Sequence, residues 1–86
     1  MKVLMKPIKM IAWFEEDGKI TPVRYQLINE DGKKTININR IFYQDEEKLA
    51  GNRMYIYKCQ SIINGVEKVY ELKYEVNTCK WFLYKM

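Results

Sequence analysis

The clearest indication of the fold is residues 55–74, which read YIYKCQSIINGVEKVYELKY. An Asn64-Gly65 pair divides this stretch into two runs in which apolar and polar residues alternate, the strongest short-range signature of a β-hairpin. A two-residue type I′ turn needs positive φ at both central positions, which Asn and Gly tolerate. Such a turn also fixes which residues lie opposite each other. The stretch therefore predicts two strands and their register.

Pairing across Asn64-Gly65 assigns the residues of this hairpin to two faces. One face carries Lys58 opposite Glu71, an exposed pair worth at most about 1 kcal/mol. The other face is apolar and is predicted to be core. Its pairs are Ile63 and Val66, Cys59 and Tyr70, Tyr57 and Leu72, and Tyr55 and Tyr74.

Two further turn signals, Asp17-Gly18 and Asp31-Gly32, predict two hairpins in the first half of the chain. Pro22 has no backbone N–H to donate, so pairing of the second and third strands is expected to end or bulge there. Both registers place their apolar residues on one shared inner face. The predicted pairs are Phe14 and Thr21, Ala12 and Val23, Met10 and Tyr25, Ile8 and Leu27, Leu27 and Ile36, and Tyr25 and Ile38.

The whole pattern predicts six strands, over residues 7–16, 19–30, 33–42, 53–63, 66–76 and 80–86. Between the third and fourth strands, acidic residues precede Lys48-Leu49-Ala50 and Gly51 follows, an order typical of a short helix. We expect a structured loop there with at most one short helical turn near residues 44–50. Because an apolar face must be covered, the sequence predicts an all-β fold, a six-stranded antiparallel meander rolled into a small, partly open barrel.

Length and composition define the broad class of protein. The 86 residues suffice for a single domain, 1–86, and a hydrophobic fraction of 48% argues against disorder. No apolar run approaches the roughly 20 residues of a membrane helix, and the basic N-terminal segment is not followed by the apolar region of a signal peptide. We therefore expect a soluble, cytoplasmic protein with no membrane partner.

The sequence lacks the residues that most enzymes and metal proteins use. There is no His, the commonest general base and metal ligand. In the predicted registers Cys59 and Cys79 lie roughly 20 Å apart, too far for a disulfide, and two thiols are too few for a zinc site. We predict a non-enzymatic protein with no catalytic residue, no cofactor and no metal, in which Cys59 is a small core residue.

The predicted outer face is more apolar than a solvated surface should be. One group of side chains on this face is Ile11, Trp13, Pro22 and Ile41, with Ile20 beside them. At the C-terminus Trp81 and Leu83 are predicted to point inward, which places Phe82, Tyr84 and Met86 in a second outward group. Either residues 43–52 and the N-terminal residues 3–5 cover these groups, or a partner does. The second alternative predicts an interaction module that acts through protein contacts, with a homodimer as its simplest form.

Single-stranded nucleic acid is the alternative ligand. The net charge is +4, and proteins that bind single strands combine basic grooves with aromatic side chains on a β surface. The basic residues, however, are scattered along the sequence. The candidate contacts are Arg24, diagonal to Trp13, Lys73, opposite Tyr84, and Arg40, predicted to point inward near one end of the barrel.

Several of these residues also carry a resemblance that spans most of the chain. The spacing of Pro22-x-Arg24-Tyr25, Gly65, Tyr70-x-Leu72 and Trp81-x-Leu83 resembles that of a family of small uncharacterised bacterial all-β proteins. The resemblance implies the all-β fold and a prokaryotic cytosolic setting. It implies no activity and no site residues.

Overall fold

Seven antiparallel strands form one sheet in the computed structural model, which describes residues 1–86. The strands are β1 (Val3–Phe14), β2 (Ile20–Asn29), β3 (Gly32–Asn37), β4 (Arg40–Leu49), β5 (Asn52–Ile63), β6 (Val66–Glu75) and β7 (Lys80–Lys85). Their order across the sheet is β3-β2-β1-β7-β6-β5-β4. The predicted all-β fold is confirmed. The predicted number of six strands is wrong, because residues 40–49 form a strand of their own.

Strand β4 stands where a helical turn was predicted near residues 44–50. It pairs with β5 from Arg40 opposite Gln60 to Leu49 opposite Asn52. The residues between the two strands are Ala50 and Gly51, with φ values of 51° and 84°, the positive values that a type I′ turn requires. Because Ala seldom adopts positive φ, only the glycine signalled a turn, and a glycine also fits the end of a helix.

The hairpin of β5 and β6 has the predicted register. Cys59 lies opposite Tyr70, and the other three predicted core pairs are also present. Lys58 lies opposite Glu71 as predicted, although their charged groups form no ion pair. The Asn64-Gly65 turn therefore fixed this register correctly on its own.

The hairpin of β1 and β2 departs from its predicted register near the turn. A β-bulge between Ile11 and Ala12 shifts the pairing by one residue, so that Ala12 lies opposite Pro22 rather than Val23. A one-residue shift moves each affected side chain to the opposite face. Pro22 and Ile20, which were predicted to point outward, are therefore buried in the core.

The hairpin of β2 and β3 is shifted by two residues from the predicted register. Tyr25 lies opposite Ile36 rather than Ile38, because the turn is formed by Glu30 and Asp31 and not by Asp31-Gly32. A shift of two residues keeps every side chain on its original face. The predicted inward direction of these strands' apolar residues is unaffected.

The chain crosses from one edge of the sheet to the other between β3 and β4. Pairing of β2 with β3 ends at Arg24, close to Pro22, as predicted. The Ile38 N–H donates to a carbonyl of β2 at 3.0 Å, and the N–H of the next residue, Asn39, donates to a carbonyl of β5 at 2.9 Å. The sheet thus curls until its two edges meet at these residues. Strands β3 and β4 do not pair with each other, so the sheet is not closed into a barrel.

A cleft of about 250 Å³ remains open between β4 and the start of β2, and we call it the β2–β4 cleft. Lys19, Ile20 and Thr21 line one side, and residues 41–44 line the other. Tyr57 also lines the cleft, and its hydroxyl donates a hydrogen bond to the Ile20 carbonyl at 2.7 Å. This bond connects β5 to β2 across a gap that no backbone pairing spans.

The core occupies the inner face of the curled sheet. Trp81 and Leu83 of β7 are buried there, as the sequence predicts. Tyr25 and Tyr70 pack edge to face, with their ring centroids 5.9 Å apart. The buried residues of the core are Ile20, Tyr25, Ile36, Tyr57, Cys59, Tyr70, Leu72, Tyr74, Trp81 and Leu83.

Two buried tyrosines of this core are expected to respond differently to removal of the hydroxyl. The Tyr70 hydroxyl shares a hydrogen bond with the Ser61 hydroxyl, 2.5 Å between the oxygens, whereas the Tyr25 hydroxyl is buried without a partner. Tyr70→Phe should lower the free energy of unfolding by about 1–3 kcal/mol, because it leaves Ser61 buried and unpaired. Tyr25→Phe should leave it unchanged or raise it. Urea titrations measure both variants, and a Tyr25→Phe variant as unstable as Tyr70→Phe would contradict the prediction.

Candidate binding surface

The first predicted apolar patch is divided between the two faces of the sheet. Ile11 and Trp13 point outward and are 55% and 66% exposed, and Phe14 beside them is 65% exposed. Pro22 lies in the core. Ile41 also points inward, where it lies opposite Cys59 and packs against the core, because a register shift at the next residue separates it from the outward part of β4. The prediction that Pro22 and Ile41 lie on this outer patch is wrong.

The second predicted patch is half-buried. Phe82 and Tyr84 of β7 are outward but partly covered, and Met86 packs against the core, contrary to its predicted outward position. The backbone of Met86 exchanges two hydrogen bonds with Lys2, at 2.9 and 3.1 Å. The predicted covers do not form, since residues 43–49 belong to β4 and residues 3–5 belong to β1.

Lys73 covers part of this second patch. Its ammonium lies 3.9 Å from the centroid of the Tyr84 ring, a cation–π contact, and 3.2 Å from a carboxylate oxygen of Glu47. The side chain is only 8% exposed. Lys73 lies opposite Phe82 and not opposite Tyr84, so the predicted pairing is wrong, although its side chain still reaches the Tyr84 ring. Lys73 is not accessible to a phosphate group.

Arg40 and Arg24 are both exposed, each in a setting that differs from the predicted one. Arg40 was predicted to point inward, but it lies opposite Gln60 on the outer face and its guanidinium is 4.8 Å from the centroid of the Phe42 ring. Arg24 lies opposite Ile11 and makes no cation–π contact with Trp13. The β-bulge lies between the Ile11–Arg24 pair and the Trp13–Thr21 pair. Both guanidinium groups are free of ion pairs.

The strands of one half of the sheet contain no acidic residue, and the acidic residues of that half lie in its turns, at residues 15–17 and 30–31. The neighbouring strands β3, β2, β1 and β7 contain no Asp or Glu. Their seven basic residues are Lys6, Lys9, Arg24, Lys33, Lys34, Lys80 and Lys85. Strands β4, β5 and β6 contain six acidic and six basic residues, so the second half has no net charge. The sequence hides this separation, since β7 comes last in the chain but lies beside β1.

Four of these cations lie on the outer side of the acid-free half, a surface that we call the basic face. They are Lys9, Arg24, Lys33 and Lys80, all exposed and none in an ion pair, although Lys80 lies opposite Glu75 of β6. Ile8 lies opposite Trp81, and Lys9 follows Ile8 while Lys80 precedes Trp81, so the antiparallel strands place the two lysines side by side. Unpaired cations on one face attract a polyanion more strongly than the net charge of the protein suggests.

Uncharged polar groups lie among these cations. A shallow groove of about 200 Å³ runs over the basic face across β1, β2 and β3. It is lined by Lys9, Ile11, Arg24, Tyr25, Gln26 and Thr35. The Gln26 amide donates to the Thr35 hydroxyl at 3.4 Å. Amide and hydroxyl groups of this kind bond to phosphate oxygens and to base edges.

The structure contains no helix that is long and apolar enough to cross a lipid bilayer. No three side chains of the His, Cys, Asp and Glu types come close enough together to hold a metal ion. Cys59 is buried, as predicted, and Cys79 is exposed, both as free thiols. Comparisons with protein-family models, with curated proteins and with solved structures each give no match.

Proposed function

We propose that this protein is a non-enzymatic binding module that holds single-stranded nucleic acid on the basic face. The observation that carries the proposal is the separation of charge within the sheet. Four neighbouring strands contain seven basic residues and no acidic residue, and four of the cations are exposed and unpaired. A phosphate backbone that binds such cations releases its condensed counterions, which drives association.

The shape of the basic face favours a single strand over a duplex. Proteins read a duplex by placing a helix or a β-ribbon in its major groove. The basic face is the surface of a sheet with no helix on it. A single strand can instead lie along a sheet, its phosphates on the cations and its bases against exposed aromatic rings. Trp13 offers such a ring beside the basic face.

Self-association is the second candidate function, supported by one specific observation. Ile11, Trp13 and Phe14 leave three large apolar side chains exposed at one end of β1. Contiguous apolar surface of this kind commonly marks a protein interface. A symmetric homodimer would bury this apolar surface on both subunits. The two candidates share Trp13, so the decisive measurement must report mass and nucleic-acid binding together.

Light scattering with and without a short oligothymidylate separates the two functions. The proposal expects a monomer that gains the mass of one oligonucleotide. If four phosphates are neutralised, a plot of the logarithm of the affinity against the logarithm of the salt concentration should have a slope of about −3. The affinity should therefore fall about 50-fold between 50 and 200 mM salt. A homodimer that binds no oligonucleotide at low salt would reject the proposal and support self-association.

A further inference from the structure

We infer that the single-strand site continues from Trp13 across the mouth of the β2–β4 cleft and onto the outer face of β4. Phe42 and Tyr43 would there stack against further bases. This inference rests on the proposed function and extends it, because it assigns base-stacking residues to the half of the sheet that lacks a net charge. We call the group formed by Arg40, Phe42, Tyr43 and Lys58 the β4 platform.

The path between the two surfaces is short. Trp13 lies opposite Thr21 on β2. Thr21 lines one side of the β2–β4 cleft, and Phe42 and Tyr43 line the other side. Thr21 lies between the buried residues Ile20 and Pro22, so it and its partner Trp13 point away from the core. Tyr43 lies opposite Lys58, whose two neighbours are buried, so Tyr43 is on the outer face as well. Thr21 also lies beside the acidic turn of Glu15, Glu16 and Asp17, so an extended chain that leaves Trp13 passes this turn before it reaches the β4 platform.

The two rings of the β4 platform are available to a ligand. Phe42 is 41% and Tyr43 is 44% exposed. Bases stack on exposed aromatic rings without regard to their sequence, since every base has a π face. Phe42, Tyr43, Lys58 and Val69 also line a shallow depression on the outer face, which gives a base a place to rest.

Each ring is accompanied by a cation. The guanidinium of Arg40 lies 4.8 Å from the centroid of Phe42, and the ammonium of Lys58 lies 5.9 Å from the centroid of Tyr43. Glu71 faces Lys58 across the hairpin but forms no ion pair with it, so the ammonium is not neutralised by that carboxylate. Where a cation lies beside an aromatic ring, one nucleotide can bind its phosphate to the cation and stack its base on the ring.

The length of the bound oligonucleotide tests this inference. Oligothymidylates of about 5 and about 15 nucleotides span the site sizes of the OB-fold proteins that bind single strands. The short one should fit the basic face alone, and the long one should reach the β4 platform. Replacing Phe42 and Tyr43 together by Ala should weaken binding of the long oligonucleotide by roughly 10- to 100-fold and leave binding of the short one within about twofold.

A second double variant controls for lost apolar surface and for misfolding. Ile62 and Val66 are similarly exposed at the far hairpin, and replacing both by Ala should leave binding of either length unchanged. Tyr43→Phe keeps the ring and should behave as wild type, and thermal melts establish that every variant is folded. Equal losses for both lengths, or no loss for either, would overturn this inference alone. A wild-type protein that binds neither length would overturn the proposed function as well.

Discussion

Reversing the charges of Lys9 and Arg24 together is expected to weaken binding of a long oligothymidylate by roughly 50-fold at about 50 mM salt. Both side chains are exposed, both line the groove of the basic face, and neither has an ion-pair partner. Each phosphate contact contributes a factor of about eight at this salt concentration through counterion release, and a carboxylate adds repulsion. The salt dependence should become shallower by about 1.4, since two phosphate contacts are lost. Fluorescence anisotropy across a salt series measures both quantities.

A matched control variant shows whether the affinity depends on cations of the basic face or only on the net charge of the protein. Lys48→Glu with Lys68→Glu changes two exposed lysines of β4 and β6, outside the acid-free half. Each reversal lowers the net charge by two, so both double variants fall from +4 to 0. The control should retain most of the affinity and the full salt slope. If both variants lose affinity equally, binding depends on net charge and not on the basic face.

Raising the pH from about 9 to about 12 is expected to remove most of the stability of the fold. Burial raises the pKa of the Cys59 thiol to about 12 from its ordinary value of 9.0, because a thiolate would be desolvated in the core. Burial also raises the pKa values of Tyr25, Tyr57 and Tyr70. These groups ionise at lower pH in the unfolded chain than in the native protein. Their contribution is therefore complete below about pH 9 and is lost as the pH rises through the native pKa values.

The thiol of Cys59 alone accounts for about 4 kcal/mol of this loss, at 1.36 kcal/mol for each pKa unit. That is a large fraction of the roughly 5–15 kcal/mol by which small domains are stable. Urea titrations at successive pH values measure the loss, and the absorbance of tyrosinate reports ionisation of the phenols. Cys59→Ala should make the fall between pH 9 and 12 less steep. A protein whose buried tyrosines ionise near pH 10 without loss of stability would contradict the prediction.

The reliability of each sequence-based register depended on its turn. Asn64-Gly65 supports positive φ at both central positions, and its whole hairpin was predicted correctly. The Asp17-Gly18 and Asp31-Gly32 signals located their turns to within a residue or two, but a longer loop and an earlier turn shifted the pairing. Ala50-Gly51 forms the same kind of turn as Asn64-Gly65, yet Ala gives no signal for it. The strand β4 was therefore missed.

The candidate site was less predictable than the fold, because bulges and strand order control which side chains reach the surface. The bulge in the first hairpin buried Pro22, and the register shift after Ile41 turned that residue inward and Arg40 outward. Local sequence does not show where such an extra residue will sit, since the cost of a bulge is offset by contacts made elsewhere in the sheet. Ile11 and Arg24 kept their predicted outward positions because they lie beyond the bulge. Trp13 kept its position because the extra residue belongs to β2 and not to β1.

The sequence by itself determined the all-β class, the hairpin of β5 and β6, and the core residues of that hairpin and of β7, because turn chemistry and alternation act over a few residues. Tertiary structure alone decided that β7 lies beside β1, which gathers the acid-free strands into one half of the sheet. It also decided that β3 and β4 lie at opposite edges of the sheet, so that the chain crosses the open gap between them. Both outcomes depend on pairing between residues far apart in the chain, and such pairing is selected by burial of the whole apolar face and not by local preference.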